Sequence, residues 1–465
     1  MAEEKQPTQK LWTVYTGLIL AAIAGLTPAA FGIATPICWT AAVTTLVASW
    51  WILEPVPIPV TSMLPFALFP LVGILDFKQV ASSFGEHIVI FSMGGFIIST
   101  AMEKSGAHRR LALGMVHAVG GKGGRRIVLG FMLAVGFISL WISNIAAMLM
   151  VLPIAMAVIE ESEEGHKLTV PLLLGLSYAA SIGGIGTPIG TPTNLIFMAA
   201  YKHTTGNEVS FFDWMKIGMP IVILLIPLTW LVLTRKLGPA KKIDISYPGP
   251  WRTEEIRVLI VFALTALAWI FRKEPFGGWT GLIGRPGIDD STVALLSVVT
   301  MFFIPNGSGG RLLDWKTANS IPWGLLLLLA GGITISKAFD SSGFSELIGR
   351  HLAGLSNLSL FAMMAVVTFG IMMLTEVTTN MAVTALSMPL LAATGTGMGI
   401  DPALLMIPAA ISASCAFMLP CGTFPNAVIC GTGKVSIKTM ASEGAFVKLV
   451  AIVVVTITCY LILGK

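Results

Sequence analysis

The chain has 465 residues, 55% hydrophobic and only 11% charged, with a mean hydropathy of +0.84. Soluble domains carry roughly 25% charged residues, so an ordinary water-facing surface is excluded, and with it a disordered chain or a soluble repeat array. The net charge of +5 is too small and too scattered for a nucleic-acid-binding stripe.

The apolar residues fall in blocks separated by short charged clusters, the pattern of an all-α polytopic membrane protein. A helix needs about 20 apolar residues to cross the hydrocarbon. The first block, 11–33, is long for a signal-peptide core and reads as a first span. Further spans are expected at 36–53, 58–75, 87–102, 212–233, 256–271, 291–304, 322–335 and 446–463. Four other stretches differ. Residues 127–159 and 358–394 are each too long for one span, and polar residues interrupt them: Ser143 and Asn144 in one, Thr378, Thr379 and Asn380 in the other. Residues 171–200 and 402–430 are each broken by Gly, Pro and Thr. If the first two are re-entrant hairpins and the others broken crossing helices, about eleven spans result.

Lys and Arg then set the orientation. Arg109, Arg110, Lys122, Arg125 and Arg126 follow the fourth span; Arg235, Lys236, Lys241, Lys242, Arg252 and Arg257 follow 212–233. Both groups fall on the N-terminal face, with Lys434 and Lys438, whereas loops 76–87 and 201–211 carry one Lys each. That face is expected to be cytoplasmic. The basic, mildly amphipathic stretch 103–126 is expected to lie along it. The five cysteines include no CxxC pair, so neither a disulfide framework nor a zinc site is indicated.

The two halves resemble each other. GGFIISTAMEKSG at 94–106 matches GGITISKAFDSSG at 331–343, an offset of 237. Ser143 and Asn144 with Pro153 match Thr379 and Asn380 with Pro389, offset 236, and TPIGTPTN at 187–194 matches LPCGTFPN at 419–426, offset 232. The fourth and ninth spans are five crossings apart, so the copies run in opposite directions. Inverted repeats whose broken helices meet at mid-depth are the architecture of secondary transporters.

Backbone that leaves the helix at such depth carries unpaired groups costing several kcal/mol each. A small cation on carbonyl, hydroxyl and carboxamide oxygens would satisfy the carbonyls, and an anion at helix N-termini would satisfy the amides. Each copy offers one oxygen-rich cluster and one N-terminus, which suggests two cation sites flanking one anion. No Lys or Arg lies inside the four interrupted segments, so an anion there is neutralised by co-bound cations and dipoles. Glu376, an acid at membrane depth, either serves the site or pins its hairpin.

At these residues the chain resembles the divalent-anion/sodium symporters, carriers of dicarboxylates, citrate or sulfate. The marks are WISN at 141–144, GGIGTPIGTPTN at 183–194, LTEVTTN at 374–380 and SCAFMLPCGTFPN at 414–426. The resemblance implies a sodium-coupled symporter in the bacterial inner membrane, a homodimer whose protomers work by an elevator motion. It implies a first sodium site on Ser139, Ser143, Asn144 and the Gly190 carbonyl, and a second on Thr375, Thr378, Asn380 and the Gly422 carbonyl. The anion would lie between Asn144 and Asn380, near Thr191 and Thr423. Family tips commonly read Ser-Asn-Thr. Here the third positions are Ile145 and Met381, the second tip begins with Thr379, and Phe424 stands where a Pro is common. That apolar wall suits an anion with a hydrophobic part, or a smaller one held by fewer donors.

The expected organisation is 1–86 as N-terminal scaffold and dimerisation spans, 87–211 as the first transport part and 212–321 as further scaffold. The second transport part is 322–443, and the last span is 444–465. A sodium-independent exchanger of the same fold, or an anion channel, is the alternative. An intramembrane enzyme needs a nucleophile–base pair at depth, and the sequence has no such pattern.

Overall fold

The computed structural model describes residues 11–119, 123–162, 165–237, 249–274, 277–352 and 358–464. Lys122, Lys241 and Lys242, counted above, lie outside the described residues, as does the N-terminal decapeptide. In a bilayer each backbone polar group needs an internal partner, which a helix supplies within itself. Among the described residues every regular element is a helix, apart from one bridge between Pro305 and Arg311.

Among the described residues, seven helical stretches are long and apolar enough to cross a membrane: Leu11–Ala30, Thr35–Leu53, Phe77–Ser105, Phe211–Thr234, Trp323–Ser342, Leu360–Val377 and Ile437–Leu463. Two expectations need correction. The span expected at 58–75 forms two short helices, Ile58–Thr61 and Leu64–Leu71. Pro65 has no N–H to continue a helix and sits instead in the first turn of the second piece. The last helix starts at Ile437, not near 446, because Lys438 and Glu443 dilute the hydropathy of its first turns.

Both interrupted hairpins form. Their arms are Gly124–Ser139 with Asn144–Glu161, and Leu360–Val377 with Asn380–Gly397. The broken helices are Gly165–Gly184 with Pro192–Thr205, and Ala403–Ala413 with Phe424–Gly431. Their first halves form the centre of the molecule: residues 171–184 are all buried, as are ten of the eleven residues of Ala403–Ala413. Helices that are apolar all round belong in such a core. Leu11–Ala30, in contrast, buries only Thr13, Gly17 and Ala21 and leans on Thr35–Leu53.

Phe211–Thr234 and Ile437–Leu463 pack on each other and on Gly124–Ser139, Gly165–Gly184, Leu360–Val377 and Ala403–Ala413. His87–Ser105, Thr253–Ile270 and Asp290–Phe303 pack on one another, and Phe91, Phe262 and Trp269 on them meet Trp141 and Phe211. The repeats also interlock. Asn144–Glu161 packs on Phe424–Gly431 of the other copy, and Asn380–Gly397 on Pro192–Thr205.

The polar ends show the inversion. At one end of the molecule, Lys104 pairs with Asp314 at 2.5 Å, Arg110 with Glu255 at 2.7 Å and Arg235 with Glu443 at 2.6 Å. At the other, Lys202 meets His87 at 2.7 Å, Lys337 meets Glu86 at 3.4 Å and His203 meets Asp340 at 3.5 Å. His87–Ser105 therefore runs from the second end to the first, while Trp323–Ser342, which follows Asp314, runs the opposite way. Each stops at a left-handed glycine, Gly106 (φ 75°) or Gly343 (φ 81°). Each is followed by an amphipathic helix, Ala107–Val119 or Phe344–Leu352.

Candidate functional site

The first hairpin ends at Ser139 and restarts at Asn144, with Ser143 as the cap: its hydroxyl accepts the Ala146 N–H at 3.2 Å. Capping by Ser143 leaves the Asn144 carboxamide free for other work. One end of it lies 2.6 Å from Ser139 Oγ, 3.2 Å from the Ala180 carbonyl and 3.3 Å from the Gly190 carbonyl. Ser139 Oγ is itself 2.7 Å from the Ala180 carbonyl and fully buried. An amide nitrogen in that position turns its two N–H groups toward these three acceptors. An amide oxygen there leaves four oxygens facing one another around a single hydroxyl proton. Only with the oxygen in that position would the cluster call for a cation; with the nitrogen there its hydrogen bonds are satisfied without one.

The second hairpin repeats the arrangement. Thr379 caps it, its hydroxyl accepting the Ala382 N–H at 3.3 Å. Thr375 Oγ1, fully buried, lies 2.7 Å from Asn380 Oδ1 and 2.8 Å from the Ala413 carbonyl. Gly190 and Gly422 explain themselves by close approach. A Cβ on Gly190 would stand 2.9 Å from the Ser139 carbonyl oxygen, and one on Gly422 would stand 2.8 Å from that of Thr375. Each cluster lies at the C-terminal turns of a hairpin arm and a broken helix, where the dipoles leave partial negative charge. The matched N-termini, at Pro192 and Phe424, carry the opposite sign. Their cap residues Thr191 and Thr423 share one backbone geometry (φ −147° in both), and neither side chain caps its helix.

The breaks are pinned by one carboxamide each. Asn194 Nδ2 donates to the carbonyls of Gly184 (3.0 Å) and Thr187 (2.7 Å), while Asn426 Nδ2 donates to those of Ala416 (3.0 Å) and Leu419 (3.1 Å). All three positions are related by the same offset of 232. Across the repeats, Thr193 Oγ1 and Ser414 Oγ stand 2.9 Å apart, Ser177 Oγ donates to Asn426 Oδ1 at 2.6 Å, and Tyr178 Oη donates to the Phe417 carbonyl at 2.6 Å.

Of the residues expected from sequence, Ser139, Asn144 and Gly190 come together, and so do Thr375, Asn380 and Gly422. Ser143 is an exposed cap, and Thr378 is the extended C-cap residue of its arm. Thr191 is buried, and Thr423 Oγ1 is buried without a protein partner. Ile145 and Met381 are half-buried beside their asparagines, while Phe424 is 60% exposed. Sequence reasoning missed the Ala180 and Ala413 carbonyls and the role of Asn194 and Asn426. It also missed Lys448, which pairs with buried Glu376. The available signal was a lysine inside an apolar helix.

Residues 8–463 match the profile of the family described as the sodium:sulfate symporter transmembrane region. The chain is similar to the sodium-dependent dicarboxylate transporter SdcS of Staphylococcus saprophyticus, 38% identical over 443 residues, or 90% of this chain and 85% of that one. SdcS of Staphylococcus aureus is 37% identical over 446 residues, covering 91% and 85%. In three dimensions it is similar to the solved YdaH transporter of Alcanivorax borkumensis, with a TM-score of 0.60 over 98% of this chain and 97% of that one. At 14% identity, that likeness concerns the fold alone.

Proposed function

The chain belongs to the sodium:sulfate symporter family, and we propose from this premise that it carries a small divalent anion, a dicarboxylate or sulfate, into the cell together with sodium. The observation that carries the reading is the pair of buried oxygen clusters at equivalent positions of two inverted repeats, Ser139–Asn144–Ala180–Gly190 and Thr375–Asn380–Ala413 with Gly422 against them. Sodium prefers oxygen ligands of this kind, carbonyls at half-helix ends included. The cations stand at helix C-termini, and the anion stands between them at the uncapped N-termini beside Thr191 and Thr423. With no lysine or arginine in the anion's place, sodium supplies the compensating charge. Each ligand therefore raises the affinity for the other, and the coupling is reciprocal.

For the motion we propose an elevator. The hairpins, the broken helices, Phe211–Thr234 and Ile437–Leu463 move as one body against a frame of N-terminal helices, His87–Ser105, Thr253–Ile270 and Asp290–Phe303. The mutual packing of the last three helices supports this division. The frame joins a second copy in a homodimer, and the end rich in Arg and Lys faces the cytoplasm of a bacterial plasma membrane.

Uptake into proteoliposomes, with and without an inward sodium gradient, tests the reading across succinate-like dicarboxylates, citrate and sulfate. Uptake of at least one anion should require sodium, and Asn144→Ala and Asn380→Ala should each abolish it in folded protein. Sodium-independent uptake stimulated by anion on the far side would replace this reading with an exchanger.

A further inference from the structure

The two repeats hold their broken helices against their hairpins with different chemistry. In the first, the ties are neutral: Thr187 Oγ1 donates to the Leu140 carbonyl, and Trp214 Nε1 donates to the Ile185 carbonyl at 2.8 Å. In the second repeat Glu376 takes the place of Leu140, 236 residues on. Its carboxylate accepts the main-chain N–H groups of Phe417 (2.8 Å), Met418 (3.1 Å) and Leu419 (2.9 Å) and pairs with Lys448 of Ile437–Leu463. Lys448 also donates to the Met372 carbonyl at 2.6 Å. Both residues are buried, 4% and 2% exposed.

Fastening the last helix would need no more than the ion pair. The three amides add something else. Glu376 directly follows Thr375, whose hydroxyl belongs to the second cluster, and Cys421 Sγ donates to the Glu376 carbonyl at 3.1 Å. A Cβ on Gly422 would stand 3.4 Å from Glu376 Cα. The segment gripped by the carboxylate thus leads directly into the residue packed against Thr375. We propose that Glu376 and Lys448 are positioning residues for the second cation cluster. The carboxylate fixes Thr375 and Gly422 relative to each other, and Lys448 neutralises it, so that one cluster of the pair is set by an ion pair and the other is not. The proposal rests on reading the clusters as sodium sites.

Outer partners that orient metal ligands typically change affinity by about 10–100-fold when removed. Glu376→Gln should therefore raise the sodium concentration for half-maximal uptake at least about tenfold. Glu376→Asp, which keeps the charge but shortens the reach to the amides, should do likewise. Glu376→Gln with Lys448→Met leaves no unpaired buried charge, so it folds where a single variant fails, yet it still lacks the anchor and should keep the raised value.

A second readout avoids transport. Cys421 is exposed, Cys38, Cys415 and Cys459 are buried and Cys430 is half-buried, so in a Cys430→Ser background a maleimide reports on Cys421. Sodium should slow its labelling in purified protein, with a half-effect that shifts in the Glu376 variants as uptake does. If sodium changes neither labelling nor uptake in the otherwise unaltered protein, the sodium reading itself fails. If it protects that protein, and Glu376→Asp and the double variant show the same half-effect, the positioning proposal is overturned while the sodium reading stands.

Discussion

Asn194 and Asn426 show what one side chain does when backbone turns polar inside a membrane. Each carboxamide nitrogen, from the second half-helix, ties two carbonyls of the segment that leaves the first half. An unsatisfied buried acceptor costs about 1–3 kcal/mol, and alanine would release two. Asn194→Ala and Asn426→Ala should each lower the midpoint of thermal unfolding in detergent and stop uptake; an unchanged midpoint would mean that the breaks hold themselves. Both residues stand inside motifs plain in the sequence, but a carboxamide there reads equally as ligand or brace, and only distances separate the two. Ser139 and Thr375 entered through the family resemblance, with their matched placement five residues before each asparagine in support. The carbonyls of Ala180 and Ala413 were not legible, because a main-chain oxygen leaves no trace in residue type.

Among the elements, the hairpins and broken helices were the most legible. Their polar interruptions contradict the surrounding hydropathy, and the same contradiction occurs twice in one order. The third span was misread because composition counts Pro65 as apolar while the backbone treats it as a helix start. The last helix was cut short because its first turns carry Lys438 and Glu443, the latter paired with Arg235. Both hairpin tips place an apolar residue directly after the asparagine that starts the second arm. Ile145→Thr combined with Met381→Thr adds one hydroxyl to each tip and removes apolar bulk. The relative uptake of succinate over larger or more apolar anions should rise in this double variant. An unchanged preference would show that the tips do not set specificity.

In the whole molecule, the offset between repeats drifts only from 237 to 232 over three blocks, and that constancy made the inverted architecture readable from the chain alone. The proposed division into bodies rests on packing and not on hydropathy. Phe211–Thr234 is as apolar as the helices proposed for the frame, yet it packs on Ile437–Leu463 and on the first repeat. Hydropathy reports that a helix is covered, not by what. The clusters lie at opposite hairpins but share a centre stitched by Thr193 with Ser414 and Ser177 with Asn426.

The central claim is that anion binding waits on sodium at these two clusters. Calorimetric titration of purified protein with succinate, citrate and sulfate, in sodium chloride and in choline chloride of equal ionic strength, tests it most directly. At least one anion should bind in sodium and give no heat in choline, with affinity rising steeply with sodium concentration. Binding of equal strength in both salts would contradict the account.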